Sequence, residues 1–403
     1  MKIPFSPPYN DETVEAEVLD SLRSGWITTG PKVKALELET ARLAGVQQVL
    51  CCNSATSALM LALHWYGVSR GDEVIVPAYT YCATALAAMH LGARPVMVDV
   101  GKDFNISVDA IRKAITPKTK AIIPVDIAGW PCDYREILAL VEEPGIRELF
   151  QAQGEQQEKL GRILILSDAA HSIGAIYEDE PSALWSDLTV YSYHAVKNVT
   201  TAEGGAIAIN LPIPFDHQEV YHTLRLWSLN GQTKDAFSKS QAGGWRYDIV
   251  YPGFKMNMPD LLAAVGLAQI RQYNNHLLLE RHRIFNHYHA FFSQNDRFEL
   301  PPYQSSKKIS SCHLYPLRLR GITETQRDAV IVQLSEAGIA ANVHFIPLPM
   351  FTAFKSAGFQ MEDYPIAYDN FSREISLPIY PQLSGEQVKY ICENILFCIN
   401  RIL

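Results

Sequence analysis

The chain has 403 residues, of which 48% are hydrophobic and 19% charged, and its formal net charge is −8. That balance suits a folded protein long enough for two domains and is wrong for a disordered chain. The acidic excess and the lack of any lysine–arginine run argue against a nucleic-acid or anionic-lipid partner.

Taken in chain order, the opening "MKIPFSPPYNDET" has no apolar signal-peptide core. The longest apolar runs, such as Ala121–Val125 and Ile163–Leu166, are strand-length and too short to cross a bilayer. Seven cysteines, at 51, 52, 82, 132, 312, 392 and 398, form no Cys-x-x-Cys and mostly lie in apolar segments. Buried, reduced thiols in a cytoplasmic protein are expected from this, rather than a disulfide framework or a metal site. From residue 47, "QVLCCN" leads into a helix starting near Ser54. Then come "DEVIVP", a helix near Tyr81–Leu91, "PVMVDV", a helix near Val108–Ile115, and "KAIIPVD". Strands that are apolar throughout and alternate with helices predict a mainly parallel sheet covered on both faces. The glutamine-rich residues 142–162 read as a surface helix or excursion, after which "RILILSD", "DLTVYSY" and "GAIAIN" add three strands. Residues 231–250 read as a long polar loop. From Asn257 a single helix of many turns is expected to join two domains. Beyond it "HLYPLRL", a helix near Thr323–Ala337, "IAANVHF" and a final helix from Ser384 suggest a smaller α+β unit. The expected division is a large α/β domain over 1–265 and a small C-terminal one over 266–403.

Ligands of open parallel sheets sit at the carboxyl ends of strands, so the polar residues there are the candidates. Asn53, Ser54, Ala55 and Thr56 form a strand-to-helix turn whose free amides favour a phosphate, although Ser and Asn are also ordinary caps. Tyr81 could lie against a ligand ring or simply be half-buried packing. Asp168 ends an apolar strand, where a buried carboxylate needs a partner: backbone amides, or a ligand cation. His171 faces the same cavity if a helix begins there, yet lone histidines near a core are commonly structural. Lys197 lies in "YSYHAVKNVTTAEGGAIAIN", after Ser192 and among residues that otherwise read as two buried strands. A lysine, a carboxylate, a ring-stacking group and phosphate donors at matching strand ends are what pyridoxal 5′-phosphate requires.

The stretches "SGWITTGPKVKALE", "NSATSALMLAL", "GDEVIVPAYTYCATA", "PVMVDV", "SDAAHSIGA", "YSYHAVKNVTTAEGGAI" and "PGFKMNMPDLLAAVGLAQI" together resemble the DegT–StrS sugar aminotransferases over essentially the whole chain. The resemblance implies an aspartate aminotransferase-type α/β fold with a large mixed-sheet domain. It further implies homodimers with shared sites, and transfer of the amino group of L-glutamate, leaving 2-oxoglutarate, to a keto group of a nucleotide-linked sugar, with C4 expected. Products of this class serve polysaccharide or lipopolysaccharide biosynthesis. By the same resemblance Lys197 is the cofactor-bearing lysine and Asp168 the partner of the pyridine nitrogen. Tyr81 stacks on the ring, His171 lies beside the phenolic oxygen, and Ala55, Thr56 and Ser192 cradle the phosphate. "GFKMN" stands where relatives reach the partner subunit's cofactor, with Lys255 in place of the usual asparagine and Asn257 in place of the arginine. Asp126 in "PVDIAGWP" replaces a usual histidine and is expected near the sugar end. The insertion at 144–162 is a further departure. Two rival readings remain: a sugar dehydratase on the same fold, which would carry histidine at the lysine position, and a non-enzymatic regulator, against which the Lys197/Asp168 pair argues.

Overall fold

Strands β1 (Gln48–Cys52), β2 (Glu73–Pro77), β3 (Arg94–Val98), β4 (Thr119–Ile122), β5 (Leu164–Asp168), β6 (Leu188–Ser192) and β7 (Gly205–Ile209) form one sheet in the order β1–β7–β6–β5–β4–β2–β3. The structure is a computed structural model that describes residues 1–234 and 245–402. Only β7 runs against its neighbours β1 and β6; the other pairings are parallel. Successive strand residues point to opposite faces, and both faces are covered. Val74, Val76, Leu164 and Leu166 join one core, while Ile75 and Ile165 join another. Burying each such side chain contributes about 1.5–3 kcal/mol, which is why these strands need no polar alternation.

Helices α1 (Glu12–Arg23), α2 (Pro31–Ala44) and α3 (Ala55–Trp65) start where the sequence places capping signals, whereas α4 (Ala83–His90) follows Cys82 with no side-chain cap. Asp11 caps α1 and Ser54 caps α3 through side-chain oxygens, and Pro31 opens α2. A second, antiparallel sheet combines β8 (Phe298–Glu299), β9 (Tyr315–Leu319) and β10 (Glu374–Leu377). Its core is filled by the helices Leu278–Phe292, Glu324–Glu336 and Gly385–Ile402, and also by Ile3 from the other end of the chain. Among the described residues no helix is long and apolar enough to cross a membrane. All seven cysteines are free, and all are buried except the partly exposed Cys82.

Several expectations change. The single helix from Asn257 is two, Asp260–Arg271 and Leu278–Phe292, joined by a π-helical turn over Tyr273–Leu277. The wider turn buries both Tyr273 and Leu277 and lets the Tyr273 hydroxyl donate to the Ile173 carbonyl at 2.8 Å. The glutamine-rich segment folds as two short helices, Pro144–Leu149 and Glu155–Leu160, but it is more than a surface excursion. Gln157 is fully buried and donates to the Tyr66 carbonyl at 3.0 Å, and buried Arg162 forms a two-pronged pair with Asp187. "IAANVHF" is not a strand. It makes isolated bridges, Ile339 with Ile3 and Asn342 with Ser376, because its two sides face different segments. A helix at His217–Ser228, capped by Asp216, was not anticipated. Of the expected 231–250 loop, residues 235–244 lie outside the described residues; its ends meet in a bridge between Gln232 and Ile249.

Candidate active site

Strand ends converge on a cavity of about 390 Å³ whose lining includes Ser54, Ala55 and Thr56 after β1, Thr80 and Tyr81 after β2, Asp168 at the end of β5, and Ser192 at the end of β6. Lys197 lines it from the loop between β6 and β7. That loop is held shut by hydrogen bonds from Tyr193 N to the Gly204 carbonyl (2.9 Å) and from Thr201 N to the Tyr193 carbonyl (2.8 Å). The Lys197 amide closes a turn onto the His194 carbonyl at 2.9 Å. Burial lowers the Lys197 amine to about 8, with the Asp168 carboxylate opposing part of that drop.

Asp168 is 6% exposed, and each oxygen has a donor: Oδ2 accepts from Thr84 Oγ1 at 2.8 Å and Oδ1 from the Ala170 amide at 3.2 Å. Burial nonetheless raises its pKa, and Lys197 and these donors act the other way. A carboxylate so held is ready to take a cation.

The start of α3 offers an anion site. Ser54 Oγ accepts from the Ser57 amide at 3.1 Å, leaving the first-turn amides of Ala55 and Thr56 without intrahelical acceptors. β7 passes unusually close here: a Cβ on Gly205 would stand 2.4 Å from the Ala55 nitrogen, so the second glycine of "AEGGA" is required by approach rather than by turn chemistry. The Ser192 hydroxyl is on the same rim.

His171 is buried, stacked on Phe345 (5.6 Å, 17°) and 4.4 Å from the His313 ring. Its Nδ1 accepts from the Ala128 amide at 3.2 Å, which leaves the ring proton on Nε2. Burial, with the Lys197 charge, holds its pKa well below the usual histidine range, so it is a neutral donor. His313 has the other tautomer. Both amide hydrogens of Asn198 are used, toward Tyr273 Oη (3.1 Å) and the Ser311 carbonyl (2.9 Å). Its Oδ1 therefore accepts from His313 Nδ1 at 2.9 Å, leaving His313 Nε2 as an acceptor.

Of the residues singled out from sequence, Ala55, Thr56, Tyr81, Asp168, His171, Ser192 and Lys197 all line this one cavity. Tyr81 precedes α4 instead of starting it and is 60% exposed, so it is not a packing residue. Lys255 and Asn257 do not line it. Lys255 pairs its backbone with Leu229, and Asn257 pairs with Cys52 and donates to Thr29 Oγ1 at 2.6 Å. Asp126 is a correction: it is fully buried and lines no part of the cavity. Its oxygens accept from the Cys132 amide (2.8 Å), Tyr134 Oη (2.8 Å) and Ser172 Oγ (2.6 Å), so it braces the ends of β4 and β5. Sequence reading missed His313, His344, Phe345 and Thr84. Only Thr84 carried a signal, one helical turn past Tyr81.

A lowered lysine amine, a buried carboxylate, an exposed aromatic side chain and a helix-start anion cradle in one cavity are the groups that a pyridoxal phosphate enzyme uses, here on the aspartate aminotransferase-type α/β fold. Residues 8–396 match the DegT/DnrJ/EryC1/StrS aminotransferase family, and the chain belongs to it. SpsC of Bacillus subtilis, a spore coat polysaccharide biosynthesis protein, is 33% identical over 398 residues, covering 98% of this chain and 96% of its own. Spr1654 of Streptococcus pneumoniae, provisionally described as a sugar aminotransferase, has been solved in PMP and PLP forms. The PMP form is 45% identical, with a TM-score of 0.95 and complete coverage of both chains. Helicobacter pylori PseC, an aminotransferase of pseudoaminic acid biosynthesis, is 26% identical with a TM-score of 0.85, again with complete coverage of both.

Proposed function

We propose that this protein is a sugar aminotransferase that uses pyridoxal 5′-phosphate to move the amino group of L-glutamate to the C4 keto group of a nucleotide-linked sugar, by a ping-pong route in a homodimer. The observation that carries the reading is the Lys197 amine, lowered to about 8 beside buried Asp168. The cofactor supplies an aldehyde and an electron sink for the carbanion formed at the substrate carbon. The residues fit it. Lys197 Nζ would hold the aldehyde and, once free as the neutral amine, take up the proton leaving the α-carbon of glutamate. Asp168 would keep the ring nitrogen protonated, Tyr81 would cover a ring face, and the Nε2–H of His171 would donate to the phenolic oxygen. The amides of Ala55 and Thr56, with Ser192 Oγ, would bind the phosphate. SpsC's place in polysaccharide biosynthesis supports a cell-surface sugar as the product.

The homodimer reading has support from residues 245–257. Lys255 and Asn257 stand away from this chain's own cavity, while Trp245, Ile249 and Val250 expose 70%, 59% and 56% of their surface. They are suited to serving a partner's site.

An absorption spectrum of the purified protein, before and after adding L-glutamate without sugar, tests the reading. A yellow band that converts to the pyridoxamine form is expected, and a keto-sugar substrate should restore it. A protein that stays colourless when given cofactor would overturn the proposal. An unchanged band with glutamate would overturn the donor.

A further inference from the structure

The wall of the cavity opposite the sheet contains His344, and behind it lies a chain of hydrogen bonds that the scheme above leaves unused. Glu374 and Ser376 are two apart on β10, so their side chains share a face, and both are fully buried. Ser376 Oγ lies 2.5 Å from Glu374 Oε1 and 2.9 Å from His344 Nδ1. The backbone amide of His344 donates to Glu374 Oε2 at 3.0 Å. The segment is pinned from both sides: Asn342 and Ser376 exchange backbone hydrogen bonds (3.2 and 2.8 Å), and Tyr79 Oη donates to the His344 carbonyl at 2.6 Å. The ring is stacked on Phe5 (5.2 Å, 20°) and has Phe345 edge-on at 5.1 Å. Its Nδ1 is engaged from behind, so Nε2 is the nitrogen left for the cavity that the ring lines.

The proton count along this chain allows two arrangements. An amide can only donate, so Glu374 Oε2 is always an acceptor and only Oε1 can carry a proton. With Glu374 ionised, the Ser376 hydroxyl donates to Oε1, His344 Nδ1–H donates to Ser376 Oγ, and Nε2 is bare. With Oε1 protonated, every bond reverses. Oε1–H donates to Ser376, the serine hydroxyl donates to a bare Nδ1, and the imidazole proton sits on Nε2.

We propose that Glu374, Ser376 and His344 form a proton relay that makes His344 Nε2 a donor or an acceptor toward an oxygen of the acceptor substrate. In the forward sense, a proton leaves Nε2 for that oxygen while the Ser376 proton moves to Nδ1 and the Oε1 proton moves to Ser376 Oγ, leaving a carboxylate. One proton leaves and one negative charge remains on Glu374, so the step balances. A keto oxygen replaced by nitrogen must depart as water and needs protons, which is the use this geometry suits. That use rests on the function proposed above; the relay itself does not.

The surrounding charges agree. Burial raises Glu374 to about 8, against the pull of Arg327 and Arg318 and of its hydrogen-bond donors. Arg327 Nη1 is itself engaged by the Glu374 carbonyl at 2.9 Å, and Arg318 Nη2 by Glu299 at 2.6 Å. Tyr79 on the sheet side is a neutral phenol, its own titration pushed up by burial. On the cavity side His344 faces Lys197, His171 and His313. Burial, then Lys197, lowers His344 to about 3, so near neutral pH it changes role by tautomer and never carries charge.

The test is nitrogen-15 NMR of the imidazole-labelled holoenzyme between about pH 6.5 and 9.5, with His344 identified by its loss in His344→Gln. The expected result is an Nε2–H tautomer at low pH that converts to Nδ1–H with a midpoint near 8. Ser376→Ala should abolish the conversion. Glu374→Gln, whose amide can only donate to Ser376, should lock the Nε2–H form at every pH. In single turnovers the sugar half-reaction of the wild type should fall roughly tenfold per pH unit above about 8, and Glu374→Gln, whose amide has no proton to pass on, should run slowly at every pH and without that fall. A His344 tautomer that ignores pH, or one that still converts in Ser376→Ala, would overturn the relay even if glutamate converts the yellow band. A tautomer that converts in a protein whose yellow band glutamate leaves unchanged would overturn the glutamate donor and leave the relay standing.

Discussion

One wall of the cavity is built from strand ends of the large sheet and the other from residues of the C-terminal third, and the two hold their polar groups in different ways. On the sheet wall each group is fixed by strand ends, turns and helices of the large sheet's own half: Asp168 by Ala170 and Thr84, Ser54 by Ser57, His171 by Ala128. On the far wall the anchors come from β10 and from the loop between β6 and β7. His313 depends on Asn198, and His344 on Glu374 and Ser376. The sheet wall is thus set by the large sheet with its connecting turns and helices, whereas the far wall exists only when the C-terminal core has closed over it. The difference suits a division of labour: invariant chemistry on the first, adjustment to the acceptor on the second.

The sharpest way to break this division is Lys197→Ala. It removes the one amine of the sheet wall, and steady-state turnover should drop by about 10³-fold or more, toward the upper range for a lost general base. Retained turnover would mean that the far wall supplies the base. Asp168→Asn should cost about 10²-fold, in the range for one electrostatic partner, and equally in both half-reactions measured by stopped flow. A loss confined to one half would contradict a role at the cofactor. Asn198→Ala unties His313 and should cost about tenfold, as expected for a hydrogen bond worth about 1–1.5 kcal/mol, concentrated in the sugar half-reaction. Equal losses in both halves would erase the distinction between the walls. The smallest effect is one of pH. Because the folded amine titrates near 8 and not at 10.5, cofactor loading of apoprotein should rise with pH and level off above about 8. The sign for stability follows from the same shift. The unfolded chain binds more protons between about 8 and 10.5, so Lys197 makes the fold gain stability as pH rises through that window, which pH-dependent denaturant melts would register.

The asymmetry of the walls also sets what could be read from sequence. Asp168, Tyr81, Lys197 and the Ser54–Thr56 turn stand at the ends of apolar runs, and a run's end is visible in a single stretch. His313 and His344 sit in short apolar segments that give no sign of what faces them, because their partners lie 115 and about 30 residues away. Asp126 misled for a related reason. A carboxylate at a strand end fits a ligand site or a bracing role equally well, and the hydroxyls of Tyr134 and Ser172 decided for bracing. The helix from Asn257 kept its apolar period on both sides of the π-turn, so nothing in the pattern marked the extra residue that brings Tyr273 to Asn198.

The first residues of the chain lace the two cores together. Ile3 exchanges backbone hydrogen bonds with Gly338 and Ala340 and fills the C-terminal core, Phe5 stacks on His344, and Ser6 donates to the Val196 carbonyl beside Lys197. A contact set spread over both cores couples their melting. Thermal unfolding should therefore show one cooperative transition for both, with loss of activity at the same temperature, and an affinity tag pressed against residues 1–6 would act on catalysis as directly as a substitution in the cavity.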